Sequence, residues 1–218
     1  MAFDVSPPRD CVKCPRLAAY RTANQAKYPG FANAPVDSFG TADARLLIVG
    51  LAPGLKGANR TGRPFTGDYA GDLLYATLGE LGLASGVYDR RPDDGLTLVG
   101  CAIANAVRCV PPENKPTPEE VATCRVFLRT SLAALPRLKA VLALGRIAHD
   151  TVLRALDRRV AAHPFAHGAR HDLGDGAPKL FDSYHCSRYN TNTGVLTPAM
   201  FRDAMRGARD FVAAEPVG

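Results

Sequence analysis

No apolar run in this 218-residue sequence approaches the about eighteen residues that a membrane-spanning helix needs, and the mean hydropathy is -0.08, so no such helix is expected. The opening MAFDVSPPRDC carries acidic residues and lacks an apolar h-region. A secretory signal is therefore not expected, and the chain is predicted to stay in a reducing cytoplasm, where disulfides do not persist. Internal repeats and low-complexity tracts are also missing, and the length suits one α/β core rather than two separate ones. What remains, 46% apolar and 22% charged residues, is the composition of a soluble globular protein. Six cysteines and a net charge of +6 need another explanation.

The charge is regional. Residues 1–67 hold nine Lys and Arg against four Asp and Glu, whereas residues 68–218 hold eighteen against seventeen. Arg outnumbers Lys by 21 to 6, and the planar guanidinium suits bidentate contact with phosphate, although genomic base content can produce the same excess.

Residues 1–43 are rich in Cys, Pro, Gly and Asn and have poor periodicity, which predicts an irregular N-terminal segment with a short helix around Pro15 to Ala26. The run Ala44 to Val49 (ARLLIV), ending in Gly50, reads as a strand buried on both faces of a parallel sheet. Further strands are predicted over Leu96 to Ala104, Leu138 to Leu144 and Leu180 to Tyr184. Helices are predicted from about Tyr69 to Leu81, from Thr117 to about Leu135, over Arg146 to Arg158, and from Pro198 to about Ala213. Thr117 and Glu120 have capping-box spacing, with Pro118 at the first helical position. Alternating β and α elements imply a small doubly wound sheet with helices on both faces, in which ligands bind outside the carboxyl ends of the strands.

The first strand runs into Gly50-Leu51-Ala52-Pro53-Gly54 and a Gly-rich extension to Asp68. Such a loop can bring bare backbone N–H groups to a ligand, but G-x-G-x-x-G and Gly-Lys-Ser/Thr spacings are absent, so neither a dinucleotide nor a nucleoside triphosphate is favoured. The second strand leads to Asn105, Arg108 and Cys109, and the fourth to His185, Ser187, Arg188, Tyr189 and Asn190. Each has a plain structural alternative: a turn for the Gly/Pro loop, a local backbone bond for Asn105, a core role for His185, a helix N-cap for Asp68. Cys11-x2-Cys14 and Cys109-x14-Cys124 together offer four thiolates, a complete set for tetrahedral zinc or an iron-sulfur cluster. Cys101, in an apolar strand, and Cys186, beside His185, read as packing thiols.

These residues resemble the uracil-DNA glycosylase superfamily, and within it family 5, the broad-specificity branch with an iron-sulfur cluster. The resemblance covers nearly the whole chain. It rests on Gly50-Leu51-Ala52-Pro53-Gly54, on Gly57-Ala58-Asn59-Arg60-Thr61-Gly62-Arg63-Pro64-Phe65-Thr66-Gly67-Asp68, on Asn105-x-x-Arg108-Cys109, on His185-x-Ser187-x-x-Asn190-x-x-Thr193-Gly194-x-Leu196-Thr197, and on the four cysteines. It implies a three-layer α/β/α fold with a small, mostly parallel sheet, one domain over residues 1–218, and residues 1–43 as a cluster-binding clip packed on it.

The activity implied is excision of uracil, and of other deaminated bases such as hypoxanthine or xanthine, from DNA by hydrolysis of the N-glycosidic bond. The base is first flipped out of the stack. By the same resemblance Cys11, Cys14, Cys109 and Cys124 hold a structural 4Fe-4S cluster. Gly50, Leu51 and Phe65 line the base, with Phe65 as stacking platform, Asn105 reads its edge, and His185 donates to the carbonyl next to the glycosidic nitrogen. Asp68 positions water or stabilises the cationic sugar, because Leu51 stands where other branches carry a polar or acidic residue. Cys186 replaces the Pro of a His-Pro-Ser motif. Lys56, Arg60, Arg63 and Arg188 are candidate phosphate contacts, and Ser187 to Thr197 would enter the minor groove. The partner implied is double-stranded DNA with a damaged base, single-stranded DNA being a further candidate. No membrane is involved, and the protein is expected to be a monomer in the cytoplasm, held at the nucleoid through DNA. The basic first third would face the docked DNA. The competing reading is a non-catalytic metal-cluster module that binds nucleic acid.

Overall fold

The computed structural model describes residues 6–174 and 176–214. Along the chain these form α1 (Pro15–Lys27), β1 (Phe39–Gly40), β2 (Leu46–Gly50), α2 (Ala58–Thr61), α3 (Tyr69–Glu80), β3 (Ala84–Ser85), β4 (Thr97–Leu98), β5 (Cys101–Asn105), α4 (Pro118–Ala133), β6 (Ala140–Leu144), α5 (Arg146–Ala155), β7 (Arg170–His171), β8 (Lys179–Ser183), α6 (Arg188–Asn192) and α7 (Pro198–Ala214). No helix among the described residues is long and apolar enough to cross a membrane.

The main sheet has the order β1-β5-β2-β6-β8-β7. Its four central strands are parallel, while β1 and β7 run antiparallel on the two edges. Alternation along each strand separates two apolar layers. Leu46, Ile48, Cys101, Ile103, Leu142 and Phe181 face α3 and α7, which contribute Leu74, Leu78, Phe201 and Met205. Leu47, Val49, Ala102, Ala104, Val141 and Leu180 face α4 and α5, which contribute Leu128, Leu132, Val152 and Leu153. Every residue of β2, β5 and β6 is buried, which is why these segments read as unbroken apolar runs.

The capping box of α4 is present in full: Thr117 Oγ1 accepts from the Glu120 N–H and the Glu120 carboxylate accepts from the Thr117 N–H. Such a cap is worth about 1 kcal/mol, and here it also orders the Glu120 carboxylate, which pairs with Arg16 of α1 at 2.8 Å. Leu17 of α1 is buried against Val107, Val121 and Cys124, so the N-terminal segment is packed onto the loop after β5 and onto α4.

Three expectations are corrected. The predicted strand over Leu96 to Ala104 is two strands: β4 pairs with β3 in a separate two-stranded sheet, Gly100 (φ +63°) turns the chain, and only β5 enters the main sheet. The expected irregular segment 1–43 includes the edge strand β1, where Gly40 (φ +127°) lies so close to β5 that a Cβ would stand 2.7 Å from the Cys101 carbonyl oxygen. The edge strand β7 was also not anticipated, because two-residue strands carry no periodicity.

One polar cluster is enclosed between α5 and β8. Asp182 accepts from both flanks, with Oδ1 at 2.7 Å from His149 Nδ1 and Oδ2 at 2.8 Å from His171 Nε2. The other nitrogen of His149 lies 2.8 Å from the His163 carbonyl, so both of its nitrogens face acceptors. Burial works against the charged imidazole, but the hydrogen bond and charge of Asp182 outweigh it and raise the His149 pKa above its ordinary 6.5. A raised histidine stabilises the folded state fully below its unfolded pKa and loses that contribution as pH rises through the folded value. Unfolding free energy measured by denaturant titration should therefore fall as pH is raised from about 6.5 through the His149 transition, and His149→Gln should abolish that slope.

Candidate active site

The carboxyl ends of β2, β5 and β8 open on one cleft of about 570 Å³. Leu51, Phe65, Asp68, Asn105, His185 and Arg188 line it, with Lys56 and Ser187 at its edge and the small residues Ala52, Gly54, Ala58, Gly67 and Ala70 completing its walls. Gly50 and Asn105 are opposite each other in the β2–β5 ladder. Only glycine fits at position 50: a Cβ there would lie 2.5 Å from Phe65 Cζ and 2.6 Å from Asn105 Oδ1. Asn105 is 2% exposed, and among the described residues its Oδ1 has no hydrogen-bond partner. An unpaired buried amide oxygen costs about 1–3 kcal/mol, and this one belongs to a residue that lines the cleft.

Phe65 is buried with φ +52°, a left-handed conformation that costs a phenylalanine about 1–3 kcal/mol and that is found where function constrains the chain. Its ring faces that of His185 at 5.8 Å between centroids and 26° between planes. Asp68, three residues past Phe65, fills the helix-cap role anticipated for it with one oxygen and leaves the other for the β2 loop. Its Oδ1 caps α3 by accepting from the Gly71 N–H at 3.2 Å. Its Oδ2 lies against the β2 loop, so near that a Cβ on Gly57 would come within 2.1 Å and one on Gly54 within 3.0 Å. Burial pushes the Asp68 pKa above the ordinary carboxylate value, against the bonds from the α3 backbone, and Asp72 adds to the rise.

His185 is half-buried, and withdrawal of water from its charged form pushes its pKa down to about 4. At neutral pH it is an uncharged imidazole with one N–H to give, and among the described residues no hydrogen bond engages its ring. The following motif is local architecture: Ser187 caps α6 by accepting from the Asn190 N–H, and Asn190 Nδ2 donates to the His185 carbonyl at 2.8 Å. Cys186 is fully buried, with its thiol directed to the Ala70 carbonyl, so this position ties the His185 loop to α3 by packing. Cys101 is likewise buried against the Leu83 carbonyl. Of the segment Ser187 to Thr197, Tyr189 (74% exposed) and Val195 (44%) protrude, whereas Leu196 is fully buried in the core.

The cation assignments divide. Lys56 and Arg60 are exposed on the β2 loop and Arg188 is exposed at the start of α6. Arg63 is not a surface contact: it is 5% exposed, bonded bidentately to Asp94 at 2.7 Å and set among the rings of Phe39, Tyr75 and Tyr88. Its partner Asp94 is held well below the ordinary carboxylate range by that hydrogen-bonded guanidinium. Within the basic first third, Arg16 is paired with Glu120 and Arg21 is buried with Nη1 3.8 Å from Cys109 Sγ, so the regional charge is partly spent on internal contacts rather than presented at the cleft. Arg108 is fully buried and joins Ser38 to Ser131 at 2.8 Å each. Sequence reasoning missed Asn114, at the cleft rim in a left-handed conformation (φ +58°), for which asparagine's tolerance of that region was the one available signal. It also missed Tyr88 and Asp94, loop residues that no spacing marks.

Cys11, Cys14, Cys109 and Cys124 surround a small cavity between α1, the loop after β5, and α4. All four are free thiols. The Arg108 N–H donates to Cys124 Sγ at 3.3 Å. Burial and the neighbouring thiols raise Cys109 to about 12 and, with Cys14 and Cys11 adding to the rise, Cys124 to about 11. Among the described residues no three of these sulfurs lie within 4.8 Å of one another.

The family model described as the uracil DNA glycosylase superfamily matches residues 38–209, a span that runs from β1 into α7. A type-5 uracil-DNA glycosylase of Thermus thermophilus is 46% identical over 204 residues, covering 91% of this chain and 92% of that protein. One from Pyrobaculum aerophilum is 40% identical over 203 residues, covering 91% and 88%. A type-4 uracil-DNA glycosylase of Archaeoglobus fulgidus is 36% identical over 123 residues, covering 56% and 54%. The match spans the whole parallel sheet and every strand end that builds the cleft, and the chain belongs to the uracil-DNA glycosylase superfamily.

Proposed function

We propose that this protein is a DNA repair glycosylase that takes uracil out of the helix into the cleft and hydrolyses its N-glycosidic bond, leaving an abasic site. The observation that carries this is the convergence of a buried ring (Phe65), an orphaned amide oxygen (Asn105), a neutral imidazole (His185) and a carboxylate of raised pKa (Asp68) on one cleft at the carboxyl ends of parallel strands. A flipped base stacks on Phe65, and Asn105 Oδ1 accepts from its ring N–H. As the C1′–N bond breaks, its electron pair moves onto the base and collects at the carbonyl oxygen beside the glycosidic nitrogen. A neutral His185 N–H donates there and stabilises the developing anion without surrendering its proton. Water adds to C1′ of the cationic sugar, and Asp68 Oδ2 orients it and accepts its proton.

The small side chains along the cleft support room for a purine as well, so we assign hypoxanthine and xanthine as further substrates. Lys56, Arg60 and Arg188 contact phosphates of double-stranded DNA, and of single-stranded DNA, with the protein acting as a monomer. The exposed Tyr189 at the start of the Ser187 to Thr197 segment supports its entry into the minor groove. The four cysteines fit a 4Fe-4S cluster. The Arg108 N–H and the Arg21 guanidinium already stand as donors to Cys124 Sγ and Cys109 Sγ, and such donors suit the thiolates of a cluster. When bound, such a cluster would tie the N-terminal segment to the loop after β5 and to α4, as a structural rather than a catalytic group.

Five measurements test this. A uracil-containing duplex incubated with the protein and then treated with alkali should be cut at the uracil, and absence of scission would remove the assignment. In the same assay over uracil, hypoxanthine and xanthine, Asp68→Ala, Asn105→Ala and His185→Ala should each lower the rate by about 100-fold or more. Wild-type activity should fall as pH drops through the raised Asp68 pKa, since the carboxylate form is needed, and His185 should not titrate above about 4. Lys56→Ala and Arg60→Ala should each reduce the salt slope of duplex binding by about 1, whereas Arg63→Ala should destabilise the fold and leave the slope unchanged. Purified protein should be brown, with iron and acid-labile sulfide in equal amounts that are lost in Cys109→Ala; a colourless protein with stoichiometric zinc would refute the cluster.

A further inference from the structure

The left-handed turn that carries Phe65 is held from outside the cleft. Tyr88, in the loop between β3 and β4, forms no part of the cleft wall and directs its hydroxyl onto this turn. The hydroxyl donates to the Phe65 carbonyl at 3.3 Å and accepts from the Gly67 N–H at 3.0 Å, so one oxygen joins the two peptide units on either side of Thr66, immediately before Asp68. The first turn of α3 closes on the same point. A Cβ on Gly71 would stand 1.7 Å from the Phe65 carbonyl oxygen and 2.7 Å from the Tyr88 hydroxyl.

Tyr88 is itself fixed by its surroundings. Its ring stacks on Tyr75 at 4.5 Å and 24°, and the Arg63 guanidinium lies 5.9 Å from its centroid. Asp94, which binds Arg63, also accepts from the N–H of Asp89 at 3.0 Å, and so anchors the backbone next to Tyr88. The buried Arg63–Asp94 pair is therefore the footing of the clamp. Other bonds hold the rest of the turn: Tyr75 donates to the Pro64 carbonyl at 2.7 Å and Thr61 to the Thr66 carbonyl at 3.0 Å. Removing the Tyr88 hydroxyl alone leaves those bonds, the ring stack and the ion pair in place, and frees only the two peptide units that aim Phe65 and Asp68.

We propose that Tyr88 is a positioning residue for base excision, its hydroxyl clamping the Phe65–Gly67 turn so that the stacking ring and the Asp68 carboxylate are set together. The inference rests on the reading of the cleft as the base pocket. Its effect falls on the chemical step, because misplacement of reacting groups by as little as an ångström lowers rates steeply while leaving phosphate contacts intact.

The test is single-turnover excision from a uracil duplex by cluster-loaded wild type and Tyr88→Phe. The variant should lose between about 10- and 100-fold in excision rate with KM unchanged within about two-fold. The acid limb of its pH–rate profile should move to lower pH as water gains access to Asp68. Genetically encoded 4-aminophenylalanine at position 88, which keeps a donor and an acceptor at the same place, should restore the rate. If Tyr88→Phe does not fold, 3-fluorotyrosine, a weaker acceptor for the Gly67 N–H, takes its place and should show the same direction of change in rate and pH limb. A rate and pH profile equal to wild type, or an equal loss in KM alone, overturns the clamp while leaving the glycosylase intact. An inactive wild type removes the underlying reading instead.

Discussion

The cleft depends on one close approach. Gly50 ends β2 opposite Asn105 at the end of β5, and the missing side chain lets the Phe65 ring and the Asn105 amide occupy the same few ångströms above the sheet. A parallel register brings the strand ends to one edge, but it is the bare backbone at position 50 that allows an aromatic face and a hydrogen-bonding edge to meet there. The left-handed Phe65, the cap at Asp68 and the glycine contacts at 54, 57 and 71 follow from fitting a long loop into the space above that residue.

Withdrawal of water then sets the electrostatics. The same enclosure lowers the His185 pKa and raises that of Asp68, so the two pKa values move in opposite directions while both groups are driven toward their neutral forms. The histidine becomes a neutral donor and the carboxylate a better proton acceptor. In the proposed reaction this pairing would suit a leaving group that gains negative charge and a water that gives up a proton, with no additional base in the β2 loop, where Leu51 stands.

Arginine serves two ends here. Arg63 and Arg108 are enclosed and bind the scaffold, one through Asp94 and the aromatic rings, the other between Ser38 and Ser131. Arg60 and Arg188 remain outside, beside the cleft. An excess of guanidinium over ammonium groups thus serves internal bracing as well as the exposed surface, because the planar fork satisfies several acceptors at once in a buried site.

Much of this was legible in the residues themselves. The buried strands β2, β6 and β8, the capped α4, the paired cysteines and the motif residues Asn105 and His185 all announce themselves through short-range patterns, since burial on two faces, helix capping and chelate spacing are local requirements. The split between β4 and β5, the two edge strands, the enclosure of Arg63 and the bridge from Tyr88 to Phe65 depend on residues distant along the chain, and no periodicity encodes them. Sequence alone determined which chemical groups are present and that the strand ends carry them. Tertiary structure decided which carboxylate oxygen caps a helix and which faces the β2 loop, which arginine reaches solvent, and which histidine has its pKa raised and which lowered, because each is settled by burial and by the partner that packing supplies.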